Sequence, residues 1–254
     1  MGLNVEVVGV TVAGKYNVKN ADRLMIGNEV FCDSIHKAVC VLPFKCAVCD
    51  GVGGTERGND AADYVLKSLS KKSSYSIDKT SDMLQILCDI NKSLIEEQKN
   101  KKIINSMQTT IVGINMYENK VIYYNSGDSR LYRLRGEYLC KLTEDHSTAQ
   151  EMVNNGMITE NIEKELMRCS QITRCLGVEE TLPPEIVEIS APPLCGDVYL
   201  LCSDGLWVTV DEQKIGLILR EDCNLEQKVN ELYLAAIDNG SEDDISIVIF
   251  RIFD

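Results

Sequence analysis

Carboxylates stand at three places where an apolar run meets a loop. Asp50 ends Phe44-Lys45-Cys46-Ala47-Val48-Cys49, Asp204 follows Val198 to Cys202, and Asp243 with Asp244 precedes Ile245 to Phe253. Glycines at 51, 53 and 54 follow Asp50, so the backbone there can approach a ligand closely and offer a main-chain carbonyl beside the carboxylate. Such oxygens suit a hard cation. Two carboxylates about 4 Å apart repel by roughly 4 kcal/mol at an effective dielectric of about 20, so three or four gathered together require cations to neutralise them. With oxygen ligands alone the metal is Mg or Mn rather than zinc, and a bridging carboxylate can hold two ions. A pair of this kind lowers the pKa of a shared water and clamps phosphoryl oxygens, which is the chemistry of phosphoester hydrolysis. Asp-Gly is also a plain turn dipeptide, and three unrelated turns have the same appearance in a sequence.

The elements that must position these groups follow from hydrophobic period. Residues 5 to 12 read as a first strand, 14 to 22 as a polar turn holding Asn17, Asn20 and Asp22, 29 to 31 as a short apolar piece, and 39 to 49 as a buried strand ending at Asp50. The period then turns helical. From an N-cap at Asn59 or Asp60, Ala62, Val65, Leu66 and Leu69 form one apolar stripe; Met83, Ile86, Leu87, Ile90 and Leu94 form a second, closed by Lys99 to Lys102. Short strands at 109 to 117, 121 to 125, 131 to 134 and 138 to 142, joined by tight turns, predict an antiparallel meander. Residues 147 to 180 are mixed and polar and read as a helical excursion over the surface. A strand at 198 to 202, a helix near 211 to 220, a helix opened by a capping box at Asn224 and Gln227 and stopped at Gly240, and a closing strand at 245 to 253 complete the chain.

At 254 residues with five prolines, no linker and no repeat, the sequence predicts one domain spanning 1–254. The formal net charge of -13 opposes a nucleic-acid or anionic-membrane partner. No apolar run is long enough to span a membrane, the N-terminus lacks a basic region followed by an apolar one, and Glu6 breaks a myristoylation pattern. Eleven cysteines, an odd number set mostly in apolar runs, read as reduced thiols in a cytoplasmic protein. Cys46 and Cys49 form a C-x-x-C, but an odd separation on a strand sends them to opposite faces, against a zinc or redox site.

Taken together, Cys49-Asp50-Gly51-Val52-Gly53-Gly54, Met107-Gln108-Thr109-Thr110, Gly127-Asp128-Ser129-Arg130, Leu142-Thr143-Glu144-Asp145-His146-Ser147, Ile172-Thr173-Arg174-Cys175-Leu176-Gly177, Leu201-Cys202-Ser203-Asp204-Gly205-Leu206 and Asp243-Asp244-Ile245-Ser246 resemble, in order and spacing, the metal-dependent Ser/Thr protein phosphatases of the protein phosphatase 2C (PPM) family, bacterial type. The resemblance implies an α+β fold, a four-layer α-β-β-α sandwich of two antiparallel sheets flanked by helices, with 147–177 as a flap over the site. It implies two Mn2+ or Mg2+ ions and possible binding of a weak third. Asp50 resembles the carboxylate bridging both metals, Gly51 the carbonyl donor, and Asp204 and Asp243 the remaining ligands of the first metal. These three aspartates are the implied catalytic residues. Asp128 matches a third-ion position, and Asp22 an acidic residue near the second metal, acting through water. Asp145 and His146 are implied to anchor the flap. Being consecutive with Ser147, they cannot line up as a relay.

Several positions depart from the family. Asn17 stands where many relatives carry an Arg that binds the substrate phosphate, Ala21 replaces an acidic residue, Val52 a His or Met, and Val208 an Asp that helps hold the third ion. Lys15 or Lys19 is left to bind the phosphate, without a guanidinium's bidentate fit. The implied reaction is hydrolysis of phosphoserine and phosphothreonine in proteins by a water or hydroxide bridging two metals. Its substrates would be phosphoproteins made by a Ser/Thr kinase, and the enzyme a monomer. A phosphoprotein-binding or sensing module without turnover, and a hydrolase of small phosphoesters, are the competing readings.

Overall fold

The computed structural model describes residues 3–52, 57–72, 77, 79–103, 106–159, 162, 166, 170–179 and 182–254. Gly53 and Gly54 lie outside them, as does most of 160–169. Twelve strands form two antiparallel six-stranded sheets among the described residues. One sheet has the order β4 (Ser34–Val41), β1 (Asn4–Val12), β12 (Ile245–Phe253), β11 (Val198–Cys202), β8 (Arg130–Arg135), β9 (Tyr138–Lys141). The other runs β10 (Glu185–Ile189), β7 (Val121–Ser126), β6 (Ile111–Met116), β5 (Phe44–Cys49), β2 (Arg23–Ile26), β3 (Glu29–Phe31).

Three apolar clusters make the layers. Strand alternation sends Val5, Val7, Cys46, Val48, Val112, Ile114, Leu201, Val248 and Phe250 into the space between the sheets. Their neighbours Ala47 and Cys49 face outward against α1 (Gly58–Lys72) and α2 (Thr80–Lys101), whose stripes of Ala62, Val65, Leu66, Leu69, Met83, Leu87, Ile90 and Leu94 are buried there. On the opposite outer face Val8, Val10, Leu200, Ile247 and Ile249 meet Ile215 and Ile218 of α5 (Glu212–Arg220) and Val229, Leu232 and Ala236 of α6 (Leu225–Asp238). This is the α-β-β-α sandwich. Asn224 caps α6 in a full capping box with Gln227. Cys46 and Cys49 fall in different clusters, as their odd spacing requires.

Two strand readings need correction. The run 39 to 49 is not one strand: Pro43 interrupts it, and the halves, β4 and β5, belong to different sheets. The meander likewise divides, with β6 and β7 in one sheet and β8 and β9 in the other. These divisions matter to the site. Among the described residues the chain changes sheet six times, and the crossings at 13–22 and 127–129 lie at the end where β5, β11 and β1 finish and β12 begins, as the pairs Val12↔Ile245, Cys202↔Arg130, Arg23↔Cys49 and Ile111↔Ser126 show.

Candidate active site

Asp50, Asp204 and Asp243 lie at that common end, and the two crossings add Asp22 and Asp128 to them. Asp50 leaves β5 with its N–H donated to Thr110 Oγ1 at 3.1 Å and its carbonyl accepting from Thr110 N and Thr109 Oγ1, each at 2.8 Å. Gly51 then bridges to Thr109, and its Cα packs so tightly on Gly58 at the start of α1 that a Cβ would lie 2.4 Å from the Gly58 carbonyl carbon. Main-chain contact also joins the other acidic loops. A Cβ on Gly205 would sit 2.1 Å from the Asp244 carbonyl oxygen, and one on Gly14 would sit 2.4 Å from that of Glu242. Asp204 starts the single turn α4 (Asp204–Trp207), while Asp243 is exposed at the rim and accepts from Asp244 N at 2.8 Å.

The cluster is electrostatically strained in the way a cation site is. Burial, then the neighbouring charges of Asp22, Asp204, Asp128 and Asp243, hold the Asp50 carboxyl well above the usual range. Burial, then Asp204 and Asp145, does the same to Asp128. For Asp204, burial and the Asp243 charge push the pKa up to about 6 despite a hydrogen bond with Asp50. Asp22 is 1% exposed, is raised well above the usual range chiefly by burial, and neither of its carboxylate oxygens has a hydrogen-bond partner. The adjacent Ser246 hydroxyl donates to Thr11 Oγ1, and that of Ser203 makes a long 3.4 Å contact to Asp244 O. The turn at this point is made by Asn20, whose Oδ1 accepts from Asp22 N at 2.9 Å, so the Asp22 carboxylate takes no part in it. Asp128 Oδ1 and Asp204 Oδ1 are also buried without partners. Buried carboxylate oxygens are almost always satisfied. Four left open at this one end of the sandwich suit a divalent metal.

Asp145 and His146 hold the start of the flap segment. Asp145, 3% exposed, takes a fork from Arg130, whose Nη2 is at 2.5 Å and Nε at 3.0 Å, and the Arg130 guanidinium lies 3.5 Å over the Trp207 ring. One cation thus ties the Asp128 crossing, the Asp204 turn and the flap. Burial and the Arg174 charge lower the His146 pKa to about 4, so the ring is neutral and Nδ1 accepts from Gly127 N at 3.1 Å. Ser147 caps α3 (Thr148–Asn154).

Lys15 and Lys19 are exposed on the 14–21 loop, with Lys15 Nζ 5.0 Å from the centre of the Tyr16 ring. Asn17 does not face solvent freely: its Nδ2 donates to Asp244 Oδ1 at 2.8 Å. Asp244 is the residue that sequence reasoning undervalued. Its oxygens take Gly14 N, Asn17 Nδ2 and Ala21 N at 2.5 to 2.8 Å, and no local pattern reveals partners more than 200 positions away. Val208 lines a cleft with Asp204, Asp243, Tyr16 and Asn17, an apolar side chain at that wall.

Known proteins carry the same pattern. The family model described as protein phosphatase 2C matches residues 17–245. The serine/threonine phosphatase Stp of Listeria monocytogenes is 31% identical over 208 residues, 80% of this chain and 82% of the relative. Among solved structures, the catalytic domain of the serine/threonine phosphatase PstP in complex with two manganese ions has a TM-score of 0.81 at 24% identity, over 99% of this chain and all of that one. The PPM Ser-Thr phosphatase MsPP of Mycobacterium smegmatis, in complex with cacodylate, has a TM-score of 0.77 at 27% identity, over 96% and 97%. The match spans most of the chain and includes Asp22, Asp50, Asp128, Asp204 and Asp243, and the chain belongs to the protein phosphatase 2C family, among the serine/threonine protein phosphatases.

Proposed function

We propose that this chain hydrolyses phosphoserine and phosphothreonine in proteins with two Mn2+ or Mg2+ ions held by Asp50, the Gly51 carbonyl, Asp204 and Asp243. In this reading Asp22 acts on the second ion through water, and Asp128 serves a weak third one. The observation that carries it is the set of buried, unpartnered oxygens on Asp22, Asp128 and Asp204 around Asp50. The two manganese ions of the PstP structure support the choice of metal. When bound, such ions supply Lewis acidity toward phosphoryl oxygens and acidify water for attack at phosphorus.

The protein's own groups do the rest. The carboxylates keep their arrangement because Gly51, Gly205 and Gly14 lock their loops backbone to backbone. Lys15 and Lys19, exposed on the loop whose Tyr16 and Asn17 line the cleft, attract the phosphorylated segment. The substrates are phosphoproteins made by a Ser/Thr kinase, and the enzyme acts as a cytoplasmic monomer. Among the described residues no helix is long and apolar enough to cross a membrane.

The test is turnover of a phosphothreonine peptide and of an aryl phosphate with manganese, against Asp50→Asn. Loss of at least about 100-fold in kcat and of manganese binding is expected in the variant. Equal turnover in the variant, or preference for nucleotides over phosphopeptides, would overturn the reading.

A further inference from the structure

Asp244 is buried at 3% exposure beside the cluster, yet its oxygens are engaged differently from those of its neighbours. Oδ1 accepts from Gly14 N at 2.6 Å and Asn17 Nδ2 at 2.8 Å, and Oδ2 accepts from Ala21 N at 2.5 Å. Three N–H donors leave it no role as a metal ligand. All three come from the crossing loop, and they pinch its two ends and its middle onto one carboxylate. The residues between, Lys15, Tyr16, Val18 and Lys19, are thereby turned outward, with Tyr16 67% and Val18 98% exposed.

Tyr16 and Asn17 of this loop line a cleft of about 430 Å3 together with Asp204, Asp243, Val208 and Thr209. An aromatic ring held over such a cleft, next to the reacting phosphate, is a contact surface for the peptide that bears it. Tyr ranks high among residues that anchor protein contacts, because its area is large and few rotamers are frozen. The amide of Asn17, engaged by Asp244, is a clasp.

We propose that Asp244 is a positioning residue that clasps the Gly14 to Ala21 loop, and that Tyr16 on that loop contacts the substrate polypeptide beside the phosphorylated residue. The proposal rests on the phosphatase reading above, and deepens it by assigning peptide recognition to one side chain. A phosphopeptide should feel Tyr16; a small aryl phosphate, which has no polypeptide, should feel only the lysines of the loop.

Tyr16→Ala, Asn17→Ala and Asp244→Asn are compared on a phosphothreonine peptide and on p-nitrophenyl phosphate with manganese. Tyr16→Ala should raise KM for the peptide about tenfold while KM for the aryl phosphate moves by less than about threefold; Asp244→Asn, which also frees Lys15 and Lys19, should raise the peptide KM at least about tenfold and the aryl phosphate KM clearly less, and the double variant should add little to the peptide effect. Exchange of the Gly14 and Ala21 amides, read by NMR without metal, should quicken at least about tenfold in Asp244→Asn. Should Asp244→Asn not fold, Asn17→Ala, at an exposed position, releases the same loop from its other side and should give a smaller KM rise. Equal loss on both substrates, or weakened manganese binding with peptide KM unchanged, would make Asp244 part of the metal centre and overturn the proposal. Because amide exchange is independent of turnover, an inactive wild type with a protected loop would count against the phosphatase reading and leave the clasp intact.

Discussion

Asp22 is buried and Asp50, Asp128 and Asp204 are half-buried near it, so each ionisation makes the next harder. For Asp204 the folded pKa of about 6 lies above the ordinary carboxylate value. Its folded form therefore binds the proton more tightly than the unfolded chain does. Stability from this group is full below about pH 4 and is lost as pH rises through about 6 in the metal-free protein. Manganese replaces those protons, so the rise in Tm on adding it should be larger at pH 7.5 than at pH 5, as scanning calorimetry with and without EDTA will show. A gain that shrinks with pH would contradict this account. Asp50 and Asp204 were legible in the sequence because each ends an apolar run, and a strand end marks itself. Asp22 and Asp128 have no such marker, and only the resemblance singled them out. Their place is set by crossings between sheets, which a local pattern does not encode.

At the scale of elements, the site depends on turns held by a few buried pairs. Asp145 and Arg130 are 3% exposed each, and the pair ties together three segments that the His146–Gly127 hydrogen bonds and the β8–β11 pairing also join. Asp145→Asn leaves the Arg130 charge buried without its counter-ion, which should lower stability by about 3–5 kcal/mol in urea unfolding at saturating manganese. A change under about 1 kcal/mol, the range of exposed pairs, would mean the guanidinium is sustained by Trp207, Tyr132 and Glu212. Helices were the readable elements, since their apolar stripes at 62–69 and 83–94 are long and regular. Strands were less so. Arg23–Ile26 and Glu185–Ile189 escaped notice because one is four residues long and the other is a half-exposed edge with weak alternation. The run through Pro43 looked continuous because apolar residues on both sides serve different sheets.

For the whole molecule, the central apolar layer draws on both sheets, from Val5 near one end of the chain to Ile252 near the other. Each sheet keeps its helix-covered outer face without the other but would expose its inner one. We expect 1–254 to unfold as one unit: fluorescence of Trp207 and far-ultraviolet dichroism should give coincident transitions, both displaced upward by manganese. Separated transitions would mean that one helix–sheet half stands independently. The sandwich itself came only from the family resemblance, while alternation and helical stripes gave its separate strands and helices. The partition of strands between its two sheets was not foreseeable, because alternation reports that a face is buried and is silent about which face covers it.

Gly14, Gly51 and Gly205 bring peptide planes into direct van der Waals contact around the acidic end. No flexible methylene lies between those loops to be lengthened or swivelled. The spacing of the loops that carry the carboxylates is consequently set by the main chain, and only the aspartate side chains are left to adjust to an ion. Small hard ions with bonds of about 2.0–2.1 Å are accommodated without parting the strands, whereas calcium, at about 2.3–2.6 Å, must pry them open. Discrimination by ionic radius is thus built into the masonry of the fold.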